Sequence, residues 1–317
     1  MLNHMRRDGL QKCYVTETLG NVASCRGLAN TNLRHDVLRP WLGYTGASAR
    51  LDCHWRSGQR SPSYVKDNIL FTDRFLKGRR GVQLSAEERT ILEGAISEVR
   101  TIDARATIVS AGEPLSNSTL LIDGFMCRYL DDREGMRQLV AVQVPGDFVD
   151  LHAYPLKTLD HDVATLTAAT VAIVPHRALD GINATMPELT RKLWFSTLLD
   201  AAIHRAWLFR LGRLDAVGRV AHFLSETNAR LLPVGLSDGS RFALGITQND
   251  IAEICGITNV HANRVLRQLR EEGLCVFRSS LVDILDVRGL ARRGQFNPDY
   301  LYIDADMAPS SNESQAS

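Results

Sequence analysis

Between Gly256 and Leu274 the chain reads GITNVHANRVLRQLREEGL. Asn259, Asn263, Arg264, Arg267 and Arg270 recur at helical spacing, and no acid intervenes until Glu271. A helix that only covers a core usually mixes both charge signs on its outer face. An acid-free face of Arg and Asn can instead hydrogen-bond an anionic partner. Arg grips guanine O6 and N7 with two bonds, and Asn grips adenine N6 and N7. The chemistry on offer is recognition rather than catalysis. No GxGxxG, P-loop, HExxH or GxSxG pattern occurs. Asp131–Asp132 reads as a pair of solvated turn acids, and His54 beside Cys53 gives little support for a metal.

Such a face is useful only if a partner element presents it. The preceding LGITQNDIAEIC supplies one. Thr247 is placed to cap a helix, with Asp250 at its third position in a capping-box arrangement. Ile251, Ala252 and Ile254 face inward. Gly256 falls where the joint needs a left-handed residue. Thr258 caps the second helix, whose buried set is Ala262, Val265, Leu266 and Leu269. CVFRSSLVDILDV then reads as a hairpin with Arg278 near a Ser-Ser turn, the shape of a wing.

Upstream, the texture changes several times. Residues 1–80 show no sustained period and are read as a poorly ordered extension, with a short helix expected over Asn68–Leu76. An Arg-rich, acid-poor leader of this kind also resembles a transit peptide, and a mis-set translation start would give the same texture. Order is expected from Ser85, whose spacing to Glu88 is that of a capping box, with Leu84, Ile91, Leu92, Ala95 and Ile96 on one helical face. From Thr101 to Val174 short β-rich runs alternate with Gly112, Gly124, Gly135 and Gly146, which predicts an antiparallel barrel or jelly roll. After Pro187 comes a long helix with too many apolar sides for one core. One surface is expected against a partner, and the stripe Leu189, Leu193, Leu199, Ile203 and Ala206 is assigned to it. A further helix, DAVGRVAHFLSETNARL, turns Val217, Val220, Ala221 and Leu224 inward.

The chain of 317 residues is long enough for two domains. Its net charge of +1 hides an asymmetry. Residues 1–80 hold 14 basic and 6 acidic side chains, and the remainder hold 23 and 30. Bulk charge therefore does not advertise nucleic-acid binding, and the case rests on a local patch. No apolar run reaches the length of a membrane span, and the first thirty residues lack a signal-peptide core. The six cysteines are scattered and form no CxxC pair, so neither a disulfide framework nor a zinc module is expected, and a reducing cytosol fits.

From Leu84 to Leu290 the chain resembles the Crp–Fnr family of bacterial transcription regulators. TQNDIAEICGIT followed by NRVLRQLREEGL carries the more specific half of the resemblance; the glycine ladder AGE, IDG, EG, VPGDFV carries the other. The resemblance implies an α+β protein: an antiparallel β-roll (jelly-roll) sensor domain over 81–185, a dimerisation helix over 186–214 and a C-terminal winged helix-turn-helix over 215–292. The tail 293–317 is expected to be largely disordered. It implies a homodimer on near-palindromic double-stranded DNA. Base reading would fall on Asn259, Val260, Asn263 and Arg264. Backbone contacts are assigned to Thr247, Gln248, Asn249, Thr258, His261, Arg267, Arg270 and Arg278. Val260 stands where many members carry a glutamate that accepts from cytosine; it can make only apolar contact, for instance with a thymine methyl. RNA polymerase and an unidentified small-molecule effector are kept as further partners, with no membrane partner.

The family's cyclic-nucleotide members grip the phosphate with an arginine and a hydroxyl. Here the cassette reads PGDFVDLHAYPLKTLDHDVATLT. Asp160 and Asp162 would repel a phosphate, Lys157 is the only nearby cation, and Asp150 replaces a small residue. Standard binding of cyclic AMP or cyclic GMP is not expected. A weakly defined effector pocket is assigned to Gly146, Asp147, Phe148, Asp160, His161 and Asp162. Cys13, Cys25 and Cys53 are too widely spaced for an iron–sulfur cluster. Haem would need an axial ligand such as His152, His161 or His176, each of which reads as structural. No metal or cofactor is expected. The rival reading is a small-molecule-binding β-roll protein whose helix-turn-helix serves protein interaction.

Overall fold

The computed structural model describes residues 70–307. The glycine-punctuated runs form two antiparallel sheets. β1 (Glu98–Ile102), β3 (Asn117–Asp123) and β7 (Ala169–Pro175) pair in the order β1–β7–β3. β2 (Thr107–Val109), β4 (Met126–Asp131), β5 (Arg137–Gln143) and β6 (Asp162–Thr165) pair in the order β2–β6–β4–β5. Strand β1 lies outside the runs that the sequence singled out. The alternation of side chains in a strand decides what each face buries. Leu121, Val171 and Ile173 meet Met126 and Val163 from the other sheet and fill the roll. Their neighbours Leu120, Ile122, Ala172 and Val174 point the other way, onto the helices.

That outer face receives α1 (Ala86–Gly94), whose Ser85–Glu88 capping box forms as expected. It also receives α3 (His176–Thr185) and the first turns of α4 (Pro187–Arg213), with Pro187 at a helix start where its missing N–H costs nothing. A short helix α2 (Ala153–Leu156) covers one mouth of the roll.

Helix α4 corrects the assignment of the partner-facing stripe. Leu189 and Leu193 pack on the first sheet, and Leu199 and Ile203 pack on the second, so all four are core within one chain; Ala206 is half-buried. Each fully buried aliphatic side chain contributes about 1.5–3 kcal/mol, which a partner contact through this stripe would forfeit. The open side of α4 carries instead Trp194 and Leu198, both 66% exposed, Leu208 at 72% and Phe209 at 44%.

Two other expectations are corrected. Residues 70–80 belong to the packed body, not to a disordered extension, and they form successive turns rather than a helix. Leu76 and Gly78 both take positive φ, which no helix tolerates, and the turns press Phe75 and Leu76 into the outer core. Gly146 makes this possible: a Cβ there would collide with the Arg74 carbonyl. The tail also packs, as far as residue 307. Leu301 and Ile303 are buried, and the Arg79 guanidinium donates to the Leu301 carbonyl at 2.6 Å. The two peripheral segments hold each other.

Helix α5 (Ala216–Leu231) buries Val217, Val220, Ala221 and Leu224 as expected, but it is enclosed on nearly every side. Its Glu226 accepts from Trp207 Nε1 at 3.0 Å and from the Tyr300 hydroxyl at 2.7 Å. Arg230 on the next turn reaches Asp147 at 2.6 Å and the Val142 carbonyl at 3.0 Å. This polar seam joins α4, the β-roll and the tail through one helix.

Candidate nucleic-acid interface

The carboxy-terminal unit contains β8 (Arg241–Ala243), α6 (Gln248–Cys255), α7 (Asn259–Glu271), β9 (Cys275–Arg278), β10 (Leu281–Ile284) and α8 (Val287–Arg293). The strands pair in the order β8–β10–β9. Thr247 and Asp250 complete a reciprocal capping box at the start of α6. Gly256 ends the helix at φ +60°, the left-handed conformation that glycine adopts without a Cβ penalty. Thr258 Oγ1 then accepts from the His261 N–H and opens α7. Ala262, Val265, Leu266 and Leu269 are buried.

What fixes α6, and through it α7, is a set of arginines that the sequence reading did not single out. Arg105, in the β1–β2 turn, places both terminal nitrogens on the Asp250 carboxylate. Arg137 Nε reaches Glu253 at 2.8 Å, and the Gln138 amide donates to the Glu253 carbonyl. At the other end, Arg210 donates to the Ile254 carbonyl at 3.1 Å and Arg219 to the Cys255 carbonyl at 3.2 Å. Cations at a helix carboxy-terminus satisfy free carbonyls and the helix dipole together. Burial alone would raise the Asp250 carboxyl, but hydrogen bonds from Arg105 and Thr247 outweigh it and hold it below the usual carboxylate range.

With α6 fixed, α7 turns Asn259, Val260, His261, Asn263, Arg264, Arg267 and Arg270 to solvent. Val260 is 66% exposed, unusual for an aliphatic side chain with no apolar neighbour to cover it. Arg278 stands at the end of β9 beside Ser279 and Ser280, whose φ of +49° and +62° make the tight reversal of a hairpin. An open groove of about 530 Å³ runs between α7 and this wing, lined by Gln248, Asn263, Arg267, Arg270, Phe277 and Arg278. The side chains of Thr247, Asn249 and Thr258 do not line this groove and are engaged locally: Thr247 and Thr258 as caps, Asn249 with Glu253 at 2.7 Å.

The six residues assigned to an effector pocket do not form one. Gly146, Asp147 and Phe148 line a cavity of about 30 Å³ beside Arg230, room for about one water. Asp160 points to solvent, and Asp162 accepts from the Ala111 N–H at 2.8 Å. His161 is buried against His152, with ring centroids 5.3 Å apart. Lys157 is not the only cation nearby either. Arg128, buried on β4, donates to the Val149 carbonyl at 2.7 Å and pairs with Asp200 of α4, so its charge is already matched. Burial, with Arg128 nearby, lowers His152 to about 3, and burial also lowers His161. His176 meets Ser118 Oγ at 3.3 Å. Among the described residues no group of three or more His, Cys, Asp or Glu is arranged to hold a metal. Cys13, Cys25, Cys53 and His54 lie outside the described residues.

Asp150, within the cassette, is buried, and burial pushes its carboxyl up to about 6 against the opposing Thr119 N–H and Arg128. The native state then holds a proton between the ordinary carboxylate range and pH 6 that the unfolded chain has released. Stability from this group falls as pH rises through 6. Asp150→Asn keeps an acceptor for Thr119 and is expected to gain on the order of 1–3 kcal/mol over the parent at pH 8, with the gain shrinking toward pH 4. Paired thermal melts at the two pH values check this.

Cys127, Cys255 and Cys275 are all buried, and burial pushes their thiols up to about 12, 11 and 12. Thiolate is the reactive form. In a variant with Cys13, Cys25 and Cys53 replaced by serine, a thiol reagent is expected to label nothing until denaturant is added. Rapid native labelling at Cys255 would instead mark it as a redox switch.

An antiparallel roll, a long connecting helix and a winged helix-turn-helix with a basic outer face are the architecture of a DNA-binding transcription regulator, and the chain is similar to regulators of the Crp–Fnr family. Residues 218–293 match the Crp-like helix-turn-helix domain. The chain is 24% identical over 209 residues to an anaerobic regulatory protein of Pasteurella multocida, covering 65% of this chain and 76% of that one. It is 22% identical over 205 residues to the transcriptional activator protein anr of Pseudomonas aeruginosa, covering 65% and 84%. The solved structure of FixK2 from Bradyrhizobium japonicum has the same fold, with a TM-score of 0.56 and 23% identity, covering 62% of this chain and 96% of that one. Among the described residues no helix is long and apolar enough to cross a membrane.

Proposed function

We propose that the protein acts in the cytoplasm as a homodimer that reads near-palindromic double-stranded DNA through α7. The parts would be a sensor roll over 81–185, a dimer helix over 186–214 and a reader over 215–292. The observation that carries the reading is the outer face of α7, free of acids from Asn259 to Arg270, facing the same groove as Arg278 on the wing. Asn259, Val260, Asn263 and Arg264 would meet base edges. Arg267, Arg270 and Arg278 would meet phosphates, which position the reader without specifying sequence.

Dimerisation would use the open side of α4. Trp194 and Leu198 line an apolar groove of about 500 Å³ with Leu151, Tyr154, Leu179 and Leu193, and exposed apolar surface of this extent calls for a partner. The roll would not bind cyclic AMP or cyclic GMP in the standard way, because the buried arginine beside its cassette is already paired with Asp200. Any effector would act by biasing how the roll holds α6, and RNA polymerase would be a further partner.

Arg264→Ala is expected to relax preference at one base pair of each half-site and to weaken binding by about 1–3 kcal/mol. Titration of duplexes varied at each position checks this. Unchanged binding to every duplex would mean that the reading face lies elsewhere.

A further inference from the structure

Asn263 and Gln248 stand on different helices, yet the Asn263 Nδ2 donates to Gln248 Oε1 at 3.1 Å. Both line the groove between α7 and the wing. Gln248 is the first residue of α6, whose amino-terminus is immobilised by the Thr247–Asp250 box and by Arg105 on Asp250. The backbone that carries Gln248 is therefore held by the β-roll itself.

We propose that Gln248 is a positioning residue that orients the Asn263 amide to read adenine, not a phosphate contact. An unheld asparagine amide can turn over and present its oxygen and nitrogen either way round. Bidentate reading of adenine needs Nδ2–H on N7 and Oδ1 accepting from N6. Nδ2 carries two hydrogens, and the Gln248 carbonyl takes one. The other hydrogen and Oδ1 remain free, side by side. With the Gln248 amide placed as it is, turning Asn263 over would set two carbonyl oxygens against each other, so Gln248 in this orientation selects the adenine-reading one. The inference rests on α7 being the reading helix and names one specificity determinant within it.

The test uses the full chain and duplexes carrying each of the four base pairs at every half-site position. Asn263→Ala is expected to lose a preference for adenine at one position by about 5- to 100-fold. Gln248→Ala loses the same preference at the same position, and the double variant is no worse than Asn263→Ala alone. Gln248→Glu keeps an acceptor, so it retains the preference while weakening all duplexes alike through its charge. If Gln248→Ala weakens all duplexes equally and reduces the salt slope by about one, Gln248 is a phosphate contact and the proposal is overturned. If Asn263→Ala alters no base preference, the reading face itself is misassigned, and both ideas fail together.

Discussion

Replacing Glu226 by alanine is expected to destabilise the protein by about 3–5 kcal/mol, lowering Tm by about 10 °C. Glu226 is completely buried and serves four neighbours at once: Trp207 and Tyr300 donate to it, and Arg230 and His222 lie within 3.5 and 3.9 Å. Removing one partner of a buried ionic cluster leaves the others dehydrated and unmatched, which costs far more than the cluster contributes in net terms. Arg230 would keep Asp147, but the Tyr300 phenol, held well above its usual range by burial and then by Glu226, would lose its acceptor. Glu226→Gln preserves an acceptor for Trp207 and Tyr300 and is expected to cost less than Glu226→Ala. Because the seam joins α4, the roll and the tail, unfolding should remain a single transition in the parent and broaden in the variant. Thermal melts followed by circular dichroism check both points; a loss below about 1 kcal/mol for Glu226→Ala would show that the seam is not an energetic hub.

The second large effect is expected on the open side of α4. Leu198→Arg places a charge in the middle of the stripe formed by Trp194, Leu198, Leu208 and Phe209, without touching the chain's own core. It is expected to leave Tm nearly unchanged, to halve the mass measured by sedimentation, and to cut affinity for a two-half-site duplex by about 10²–10⁴-fold. That is the scale lost when two tethered reading modules become independent. Binding to an isolated half-site should be unaffected. Leu193→Arg, on the stripe that the sequence had suggested, should instead unfold the protein, because it charges the junction of α4 with the first sheet. A Leu198→Arg variant that remained a dimer would place the contact elsewhere.

The legible parts of the molecule were those decided by near neighbours in the chain. Ser85 with Glu88 and Thr247 with Asp250 are three residues apart, and Gly256 and Thr258 act within one turn. The roll could be read because Gly112, Gly124, Gly135 and Gly146 mark its reversals, all with positive φ. What escaped were features decided by distant partners. The two sides of α4 are both apolar, so periodicity could not say which one faces the core. Residues 70–80 and 298–303 have no pattern of their own; they are ordered by bonds across the chain, such as Arg80 N–H to the Tyr302 carbonyl at 2.7 Å. Arg105 and Arg137 carry no signal of a structural role in sequence, yet they orient α6. Arg128 gave no signal, since its partners Val149 and Asp200 lie 21 and 72 positions away.

The most direct test is selection of random duplex DNA by the purified full chain without added ligand, followed by sequencing. The expected result is an enriched near-palindrome whose half-site centres are about 34 Å apart, matching two recognition helices in successive major grooves. Retention on bulk DNA should fall steeply with salt. No enriched motif, together with no salt-sensitive retention on bulk DNA or heparin, would contradict DNA reading through α7 and favour a helix-turn-helix that serves protein interaction.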